Sequence, residues 1–348
     1  KTTKDLENYL RMISAKAVDR AERVRTRIVR DPLTIAKLLA AKYPGEPSIS
    51  YIPALSWANT LTLAAMTNDA ALRAKVDRQI RPWMSGEKGL FGNRIQLTSV
   101  AGTLVFADLA KTGDEAARAL AIKGADAASK VKEGDLYDYG GGWTDDMFMA
   151  SVVLARTATL PGRADNIDLG AKMLIAYAGR LQRPDGLFNH ATNGPAAWGR
   201  GNGFATLGLM EVLTAMPQNH PLRPKVLDIY RRHMEALRSR QAPDGMWNEV
   251  IDEPGSYREE SATALIMTSM ARGIRLGWLQ PAVYAPVVER AWHGVAAHVA
   301  EDGTIIDVCT STGSGPAKKY YLERTAIRGA DDRGGAMALM AAMEMMER

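Results

Sequence analysis

Three copies of an Asp-Gly turn recur along the chain at almost constant spacing. They read Arg183-Pro-Asp-Gly-Leu-Phe-Asn, Ala242-Pro-Asp-Gly-Met-Trp-Asn and Ala300-Glu-Asp-Gly-Thr-Ile-Ile, and their glycines lie 59 and 58 residues apart. Gly89-Leu-Phe-Gly-Asn93 is a fainter copy. A period of this length holds two helices of about 15 residues with their connections, which is the unit of a helical-hairpin array. Six such units account for the 348 residues.

The segments between the turns have the composition and the apolar spacing of helices. Apolar residues recur every three to four positions among Ala, Leu, Met, Arg and Glu, and long alternating β-branched runs are missing. Both ends of the chain are ordinary and apolar rather than polar like the capping repeats of an open array, which favours ring closure. We therefore predict an all-α fold, an (α/α)6 barrel that forms a single domain over residues 1–348. The clearest predicted helices are Asp114–Ser129, Asn166–Leu181, Pro224–Arg240, Ser261–Leu276, Ala282–Ala300 and Gly335–Met346.

Composition narrows the function classes. No apolar run approaches the roughly 20 residues of a membrane span, so we expect a soluble protein. The net charge of +5 comes from interspersed charges, which is compatible with an anionic small ligand but does not indicate nucleic acid. The single Cys309 and five scattered histidines predict no disulfide, no metal and no cofactor. Because the chain starts at Lys1, we expect that a tag or a secretory signal was removed upstream, which leaves both a periplasmic and a cytoplasmic location open. The oligomeric state is also left open by the sequence.

The densest cluster of unusual residues runs from Tyr137 to Asp146, with three consecutive glycines before Trp143-Thr-Asp-Asp. Thr144 is a plausible N-cap, and Asp145 and Asp146 would then be first-turn acids stabilised by the helix dipole. Alternatively, one of them is a general acid and base beside Trp143, where the glycines let a sugar ring approach. That role requires a pKa raised by burial or by a second negative group.

A second cluster combines His190 with Trp198-Gly-Arg-Gly-Asn-Gly203. Trp198, Arg200 and Asn202 suit sugar stacking, carboxylate pairing and hydroxyl recognition, respectively. We expect these four side chains to reach one ligand.

Two further loops precede apolar helices. In the stretch from Asp252 to Ser261, Ser256 and Glu259 have the spacing of a capping box. The stretch from Thr312 to Tyr321 is rich in glycine but lacks the Walker spacing, so it does not predict a nucleotide site. A Gly-x-Ser-x-Gly elbow is also missing, and we expect Cys309 to be a buried, inert thiol.

At these clusters the sequence resembles the unsaturated glucuronyl and rhamnogalacturonyl hydrolases, glycoside hydrolase families 88 and 105. The matching motifs keep their order over roughly residues 137–348: Trp143-Thr-Asp-Asp-Met-Phe-Met, His190 with Trp198-Gly-Arg-Gly-Asn-Gly, Trp247 with Asp252-Glu-Pro-Gly-Ser-Tyr-Arg-Glu-Glu-Ser-Ala-Thr, and Gly313 to Tyr321. The resemblance implies an (α/α)6 barrel that removes a Δ4,5-unsaturated uronic acid from the non-reducing end of a lyase-generated oligosaccharide.

In those families a carboxylic acid protonates C4 of the enol ether and helps water to add at C5. The resemblance places this role on Asp145, with Asp146 as the neighbour that could raise its pKa if both pointed inward. One departure stands out: a second family aspartate, in an Asp-Asn motif, corresponds to a stretch from Asn93 to Gly102 that holds no acid.

Two other functions remain open. A polysaccharide lyase on the same barrel needs a group that neutralises the uronate carboxylate and a base, for which Asn93, Arg94, Arg200, Asn202, His190, Tyr320 and Tyr321 would serve. A non-catalytic glycan-binding toroid predicts bound sugar without turnover. In each case the expected partner is an acidic oligosaccharide, with no nucleic acid or membrane partner.

Overall fold

The computed structural model describes residues 3–132, 136–137 and 139–348. Asp138 of the first cluster lies outside these residues, and so do the side chains of positions 132–137. The described helices are α1 (Thr3–Ile28), α2 (Pro32–Lys42), α3 (Tyr51–Thr67), α4 (Ala70–Met84), α5 (Leu97–Ala101), α6 (Leu104–Ala110), α7 (Glu115–Ala128), α8 (Thr144–Met149), α9 (Ser151–Thr157), α10 (Asn166–Leu181), α11 (Gly199–Ala215), α12 (Arg223–Arg238), α13 (Glu260–Arg275), α14 (Pro281–His298), α15 (Lys318–Leu322) and α16 (Asp332–Met346).

The helices form two concentric layers that close into a ring. The inner layer consists of α3, α5 with α6, α8 with α9, α11, α13 and α16, each in contact with the next, and α16 returns to contact α3. Outside them lie α4, α7, α10, α12, α14 and α2, each packed against the inner layer. This closure confirms the predicted (α/α)6 barrel.

The inner helices are buried on nearly all sides, whereas the outer ones are amphipathic. Every residue of α13 from Glu260 to Ala271 is buried, while α12 buries only one face. Small residues let the inner helices approach closely: a Cβ on Gly208 of α11 would lie 2.0 Å from the carbonyl oxygen of Met147 in α8. The glycines and alanines of these segments are therefore packing requirements of the ring.

The repeated Asp-Gly turns have one structure in all three places. Gly186, Gly245 and Gly303 have φ of +89°, +87° and +77°. The preceding aspartate accepts a hydrogen bond from the backbone N–H two residues later, and the residue after that is buried. Each turn leads from the end of an outer helix toward the next inner helix, as a repeat of helical hairpins requires.

Short strands, which the sequence pattern did not predict, occur within the long connections. β1 (Val131–Lys132) pairs with β2 (Leu136–Tyr137), and β3 (Ile305–Cys309) pairs with β4 (Ala326–Gly329), both antiparallel. The register of the second pair shifts between Ile306 and Val308, where Asp307 has φ of +60°. These strands are too short to produce a visible alternation in the sequence.

One end of the ring is closed by ion pairs at the C-terminal ends of the inner helices. Arg156 bonds Asp108 at 2.5 Å and Glu211 at 3.0 Å, and Arg272 bonds Glu344 at 2.6 Å. These charges line a cavity of about 460 Å³. Because each charge has a partner of opposite sign, this end of the ring is electrically balanced.

Helix α1 lies outside the ring, against α14. Arg27 at its end pairs with Glu301 at 2.8 Å, while apolar side chains such as Leu6 and Leu10 remain more than half exposed. No helix among the described residues is long and apolar enough to cross a membrane.

Candidate active site

The residues selected from the sequence converge on one end of the ring. Connections from an outer helix to the next inner helix are long, such as 299–331, whereas those from inner to outer are short, such as 276–280. Since successive inner helices run in the same direction, all the long connections meet at their N-terminal ends. The first turns of the six inner helices and these loops thus form a common surface.

Asp145, in the first turn of α8, is joined to His190. Its Oδ2 lies 3.1 Å from Nε2 of His190, whose Nδ1 lies 3.0 Å from the hydroxyl of Tyr321. His190 and Tyr321 are fully buried, whereas the Asp145 side chain is 18% exposed. A carboxyl group that is open to solvent on one side and held by an imidazole on the other has the geometry of a general acid and base.

Asp146 points the opposite way, into the protein. Its Oδ2 accepts hydrogen bonds from the N–H of Gly142 at 2.6 Å and of Trp143 at 3.1 Å, and from the hydroxyl of Tyr177 at 2.9 Å. Its Oδ1 accepts from the N–H of Gly141 at 3.3 Å. Burial raises the pKa of Asp146, against the opposing effect of the Tyr177 hydrogen bond. The condition under which Asp146 was to act on Asp145, that both carboxylates point into the cleft, is not met: Asp146 instead holds the glycine loop.

The N-terminus of α8 also differs from the prediction. Trp143 rather than Thr144 is the N-cap residue, and the Asp146 side chain bonds back to it. Trp143 is half-buried, with its ring centroid 5.2 Å from that of His190. It can thus present one face to a sugar beside Asp145.

Trp198 and Arg200 lie behind His190, away from solvent. Trp198 is 2% exposed, with its ring centroid 4.8 Å from that of His190, and the Arg200 guanidinium lies 5.0 Å from the Trp198 ring. Arg200 is 1% exposed and donates to the carbonyl of Cys309 at 2.7 Å. Its buried guanidinium supports the wall of the site and does not lie open to a substrate carboxylate, contrary to expectation.

Asn202 ties two loops together. Its amide nitrogen donates to the carbonyls of Phe188 and Trp198, and its oxygen accepts from the N–H of Phe188 at 2.9 Å and lies 3.1 Å from Nε2 of His233. These bonds occupy the fully buried amide, so Asn202 anchors the Asp-Gly turn rather than recognising a hydroxyl. The four residues expected to reach one ligand are close in space, but His190, Trp198, Arg200 and Asn202 are all at most 2% exposed. The expectation that they contact one ligand directly, including sugar stacking on Trp198, is therefore wrong.

The remaining predicted residues lie on the surrounding loops. Tyr320 is half-buried, and its hydroxyl accepts from the N–H of Gly313 at 3.2 Å. Asn93 and Arg94 are exposed on the connection before α5. Tyr321 contacts His190 and is closed off from solvent.

A cluster of buried acids was missed by the sequence analysis. Glu259 caps α13 itself, accepting from the N–H of Ser261 and Ala262, so the predicted capping box with Ser256 is wrong. Glu260 is fully buried, and among the described side chains its two oxygens have no hydrogen-bond partner. Burial raises the pKa of Glu260 well above its usual value and that of Glu249 to about 8.

Cys309 belongs to the same buried cluster. Its thiol donates to Glu249 at 3.3 Å, and burial raises its pKa to about 12, which agrees with an inert thiol. Only the Glu259-Glu260 pair at a helix start could have indicated this cluster, and such pairs are ordinary first-turn acids. Among the described residues, no group of three or more His, Cys, Asp or Glu side chains is arranged to hold a metal ion.

Known proteins share both the sequence pattern and the fold. Residues 27–348 match the family described as Glycosyl Hydrolase Family 88. The chain is 29% identical over 175 residues to an unsaturated 3S-rhamnoglycuronyl hydrolase of Alteromonas sp. (strain LOR), covering 47% of this chain and 42% of that protein. It is 28% identical over 178 residues to the unsaturated rhamnogalacturonyl hydrolase YesR of Bacillus subtilis (strain 168), covering 49% and 50%.

The chain thus spans about half the length of these curated relatives. Among solved structures, a family 105 glycoside hydrolase of C. acetobutylicum ATCC 824 superimposes with a TM-score of 0.80 at 19% identity, over 90% of this chain and 99% of that one. At this identity the likeness shows the fold.

Proposed function

Because the chain belongs to glycosyl hydrolase family 88, we propose that it removes a Δ4,5-unsaturated uronic acid from the non-reducing end of oligosaccharides produced by polysaccharide lyases. The observation that carries the proposal is the pairing of the partly exposed Asp145 with the buried His190 at 3.1 Å. That pairing leaves one carboxyl oxygen of Asp145 for the substrate.

The proposed reaction is the hydration of an enol ether. Protonated Asp145 delivers its proton to C4, and the cation formed at C5 is stabilised by the ring oxygen. Water adds at C5 while the Asp145 carboxylate takes the proton that this water releases, which restores the acid. The resulting hemiketal opens to a ketone at C5, and the hemiacetal at C1 then releases the remaining sugar. No displacement occurs at C1.

This sequence of steps needs one carboxyl group that acts first as acid and then as base. It is compatible with the absence of an acid from Asn93 to Gly102. His190 holds Oδ2 of Asp145 throughout, and the half-buried Trp143 offers a stacking face for the sugar ring. Asn93 and Arg94, exposed on the α4–α5 connection, are the proposed contacts to the acidic part of the substrate.

Because the rhamnoglycuronyl and rhamnogalacturonyl hydrolases to which the chain is similar are both named for a rhamnose-containing group, we propose a substrate in which the unsaturated uronate is attached to rhamnose. The test is to follow the ultraviolet absorbance of the conjugated C4=C5 bond with purified protein and unsaturated rhamnogalacturonan disaccharide. We expect the absorbance to fall as free rhamnose appears.

A rise in absorbance with intact polysaccharide would identify a lyase instead. Binding of the disaccharide without any absorbance change would identify a glycan-binding protein. Either result overturns the proposed hydrolase activity.

A further inference from the structure

We propose that Tyr321 is a positioning residue that fixes which nitrogen of His190 carries the hydrogen and thereby orients Asp145. The inference rests on the proposed role of Asp145 as the acid. It starts from a continuous chain of contacts: the N–H of Gly315 lies 3.4 Å from the Tyr321 hydroxyl, which lies 3.0 Å from Nδ1 of His190, and Nε2 lies 3.1 Å from Oδ2 of Asp145.

The direction of this chain is set by its first member. The backbone N–H of Gly315 can only donate, so the Tyr321 oxygen accepts. The Tyr321 oxygen has a second lone pair, but among the described residues Nδ1 of His190 is the one contact that can accept the Tyr321 hydrogen. That hydrogen therefore points to Nδ1, which carries a lone pair. In a neutral imidazole the hydrogen is therefore on Nε2, where it is donated to Asp145. The reverse arrangement, with the hydrogen on Nδ1, would leave the buried Tyr321 hydrogen without an acceptor among the described residues.

Packing prevents the imidazole from escaping this arrangement. His190 and Tyr321 are fully buried, and their rings meet edge-on with centroids 5.5 Å apart. Trp143 and Trp198 contact the same imidazole ring. A Cβ on Gly194 would lie 2.2 Å from the Tyr321 hydroxyl, so the loop closes directly over it.

The surroundings of Tyr321 favour the neutral form of its hydroxyl, which can donate a hydrogen. Burial raises the pKa of its hydroxyl above the usual value, and the nearby Asp145 charge acts in the same direction. At neutral pH the hydroxyl therefore keeps its hydrogen and can donate it to Nδ1.

The consequence for Asp145 follows from the hydrogen on Nε2. That hydrogen holds Oδ2 and leaves Oδ1 facing the open side of the site, where the substrate C4 would lie. Without the Tyr321 hydroxyl, the imidazole can shift its hydrogen to Nδ1. The Nε2 lone pair would then face the carboxylate of Asp145, and the carboxyl group would turn away.

The test compares Tyr321→Phe with Tyr230→Phe. Tyr230, in the outer helix α12, is an equally buried tyrosine. Its hydroxyl donates to the Ser269 carbonyl at 2.6 Å. We expect Tyr321→Phe to lower kcat about 10- to 100-fold with KM changed less than about threefold, while Tyr230→Phe keeps kcat. A rise in KM with kcat unchanged would instead mark Tyr321 as a substrate-binding residue and overturn the inference.

A second measurement does not depend on turnover. Long-range ¹H–¹⁵N NMR of the five histidines, with His190 assigned by loss of its signals in His190→Gln, reports the tautomer directly. We expect the hydrogen on Nε2 in the native protein and a mixture in Tyr321→Phe. A hydrogen on Nδ1 in the native protein would overturn the inference even if the variant failed to fold. An Nε2 hydrogen without activity on the uronide would overturn the proposed function alone.

Discussion

Substitution of the neighbouring Asp145 and Asp146 should affect different properties of the protein: the first should lower the catalytic rate and the second should lower the stability. Asp145 makes one hydrogen bond to His190 and is partly exposed, so Asp145→Asn keeps an oxygen for that bond and should change the free energy of unfolding by less than about 0.5 kcal/mol. It removes the proton that the reaction needs. Since a positioned acid or base contributes about 10²–10⁴-fold, kcat should fall by that factor.

Asp146→Asn should show the opposite pattern. Its Oδ2 accepts three hydrogen bonds and its Oδ1 accepts one, all from groups that donate. An amide oxygen at the Oδ2 position would keep three weaker bonds, while its NH2 would face the N–H of Gly141. The three hydrogen bonds lose their charge-assisted strength, and two buried N–H groups face each other. Together these effects should lower the free energy of unfolding by about 3 kcal/mol. We expect the rate to fall less than about tenfold, with a shifted pH profile.

The assay pairs initial rates of absorbance loss with thermal unfolding of the same preparations. An entropy of about 2.1 cal/mol/K per residue gives about 1.4 °C per kcal/mol for a chain of 348 residues, so Asp146→Asn should lower Tm by about 4 °C. Asp145→Asn should leave Tm within about 1 °C. Near-normal kcat in Asp145→Asn would refute the acid–base role, and an unchanged Tm in Asp146→Asn would refute its structural role.

Two further predictions concern stability. Gly245→Ala should lower the free energy of unfolding in denaturant by more than about 3 kcal/mol, because a Cβ there would lie 2.1 Å from the Arg290 carbonyl oxygen. The control Gly162→Ala, at a glycine with positive φ but open space around it, should lower it by only about 1 kcal/mol. Equal losses in the two variants would contradict the explanation by close approach. Burial lowers the pKa of His233 to about 3 in the folded protein. Between about pH 6.5 and 3 the unfolded chain therefore binds a proton at this histidine that the folded protein does not bind. The free energy of unfolding should fall by up to about 1.4 kcal/mol for each pH unit as the pH drops through that window. His233→Gln, which can still donate to Asn202, should flatten the slope measured by urea unfolding, and an unchanged slope would show that other groups cause it.

The fold was accessible from the sequence because its signals are local. The Asp-Gly turns need a positive φ and an aspartate that bonds two residues ahead, and both requirements lie within five residues. Their spacing then reports the length of one helix pair. The short strands β3 and β4 escaped prediction because their pairing joins Ile305 to Gly329 across a long loop, a contact with no local pattern.

The candidate site was accessible only in part. The motif at Trp143 and the separate cluster that begins at His190 were both selected, and the structure brings Asp145 of the first into contact with His190 of the second. The ligand-contact roles assigned to Trp198, Arg200 and Asn202 did not hold, since a glycine-rich loop has the same sequence pattern whether its side chains face solvent or support a neighbouring loop. Their burial, at 2%, 1% and 0% exposure, is a property of the packed ring.

By itself, the sequence determined that this chain forms paired helices with a period near 58 residues, and that polar clusters stand before the inner helices. Only the tertiary structure decided which way each side chain points. Adjacent residues on a helix project about 100° apart, so Asp145 reaches His190 while Asp146 turns to Tyr177. The pairing of His190 with Tyr321, 131 residues away, exists because the closed ring brings the loop 299–331 against the connection that precedes α11, and no local pattern encodes that contact.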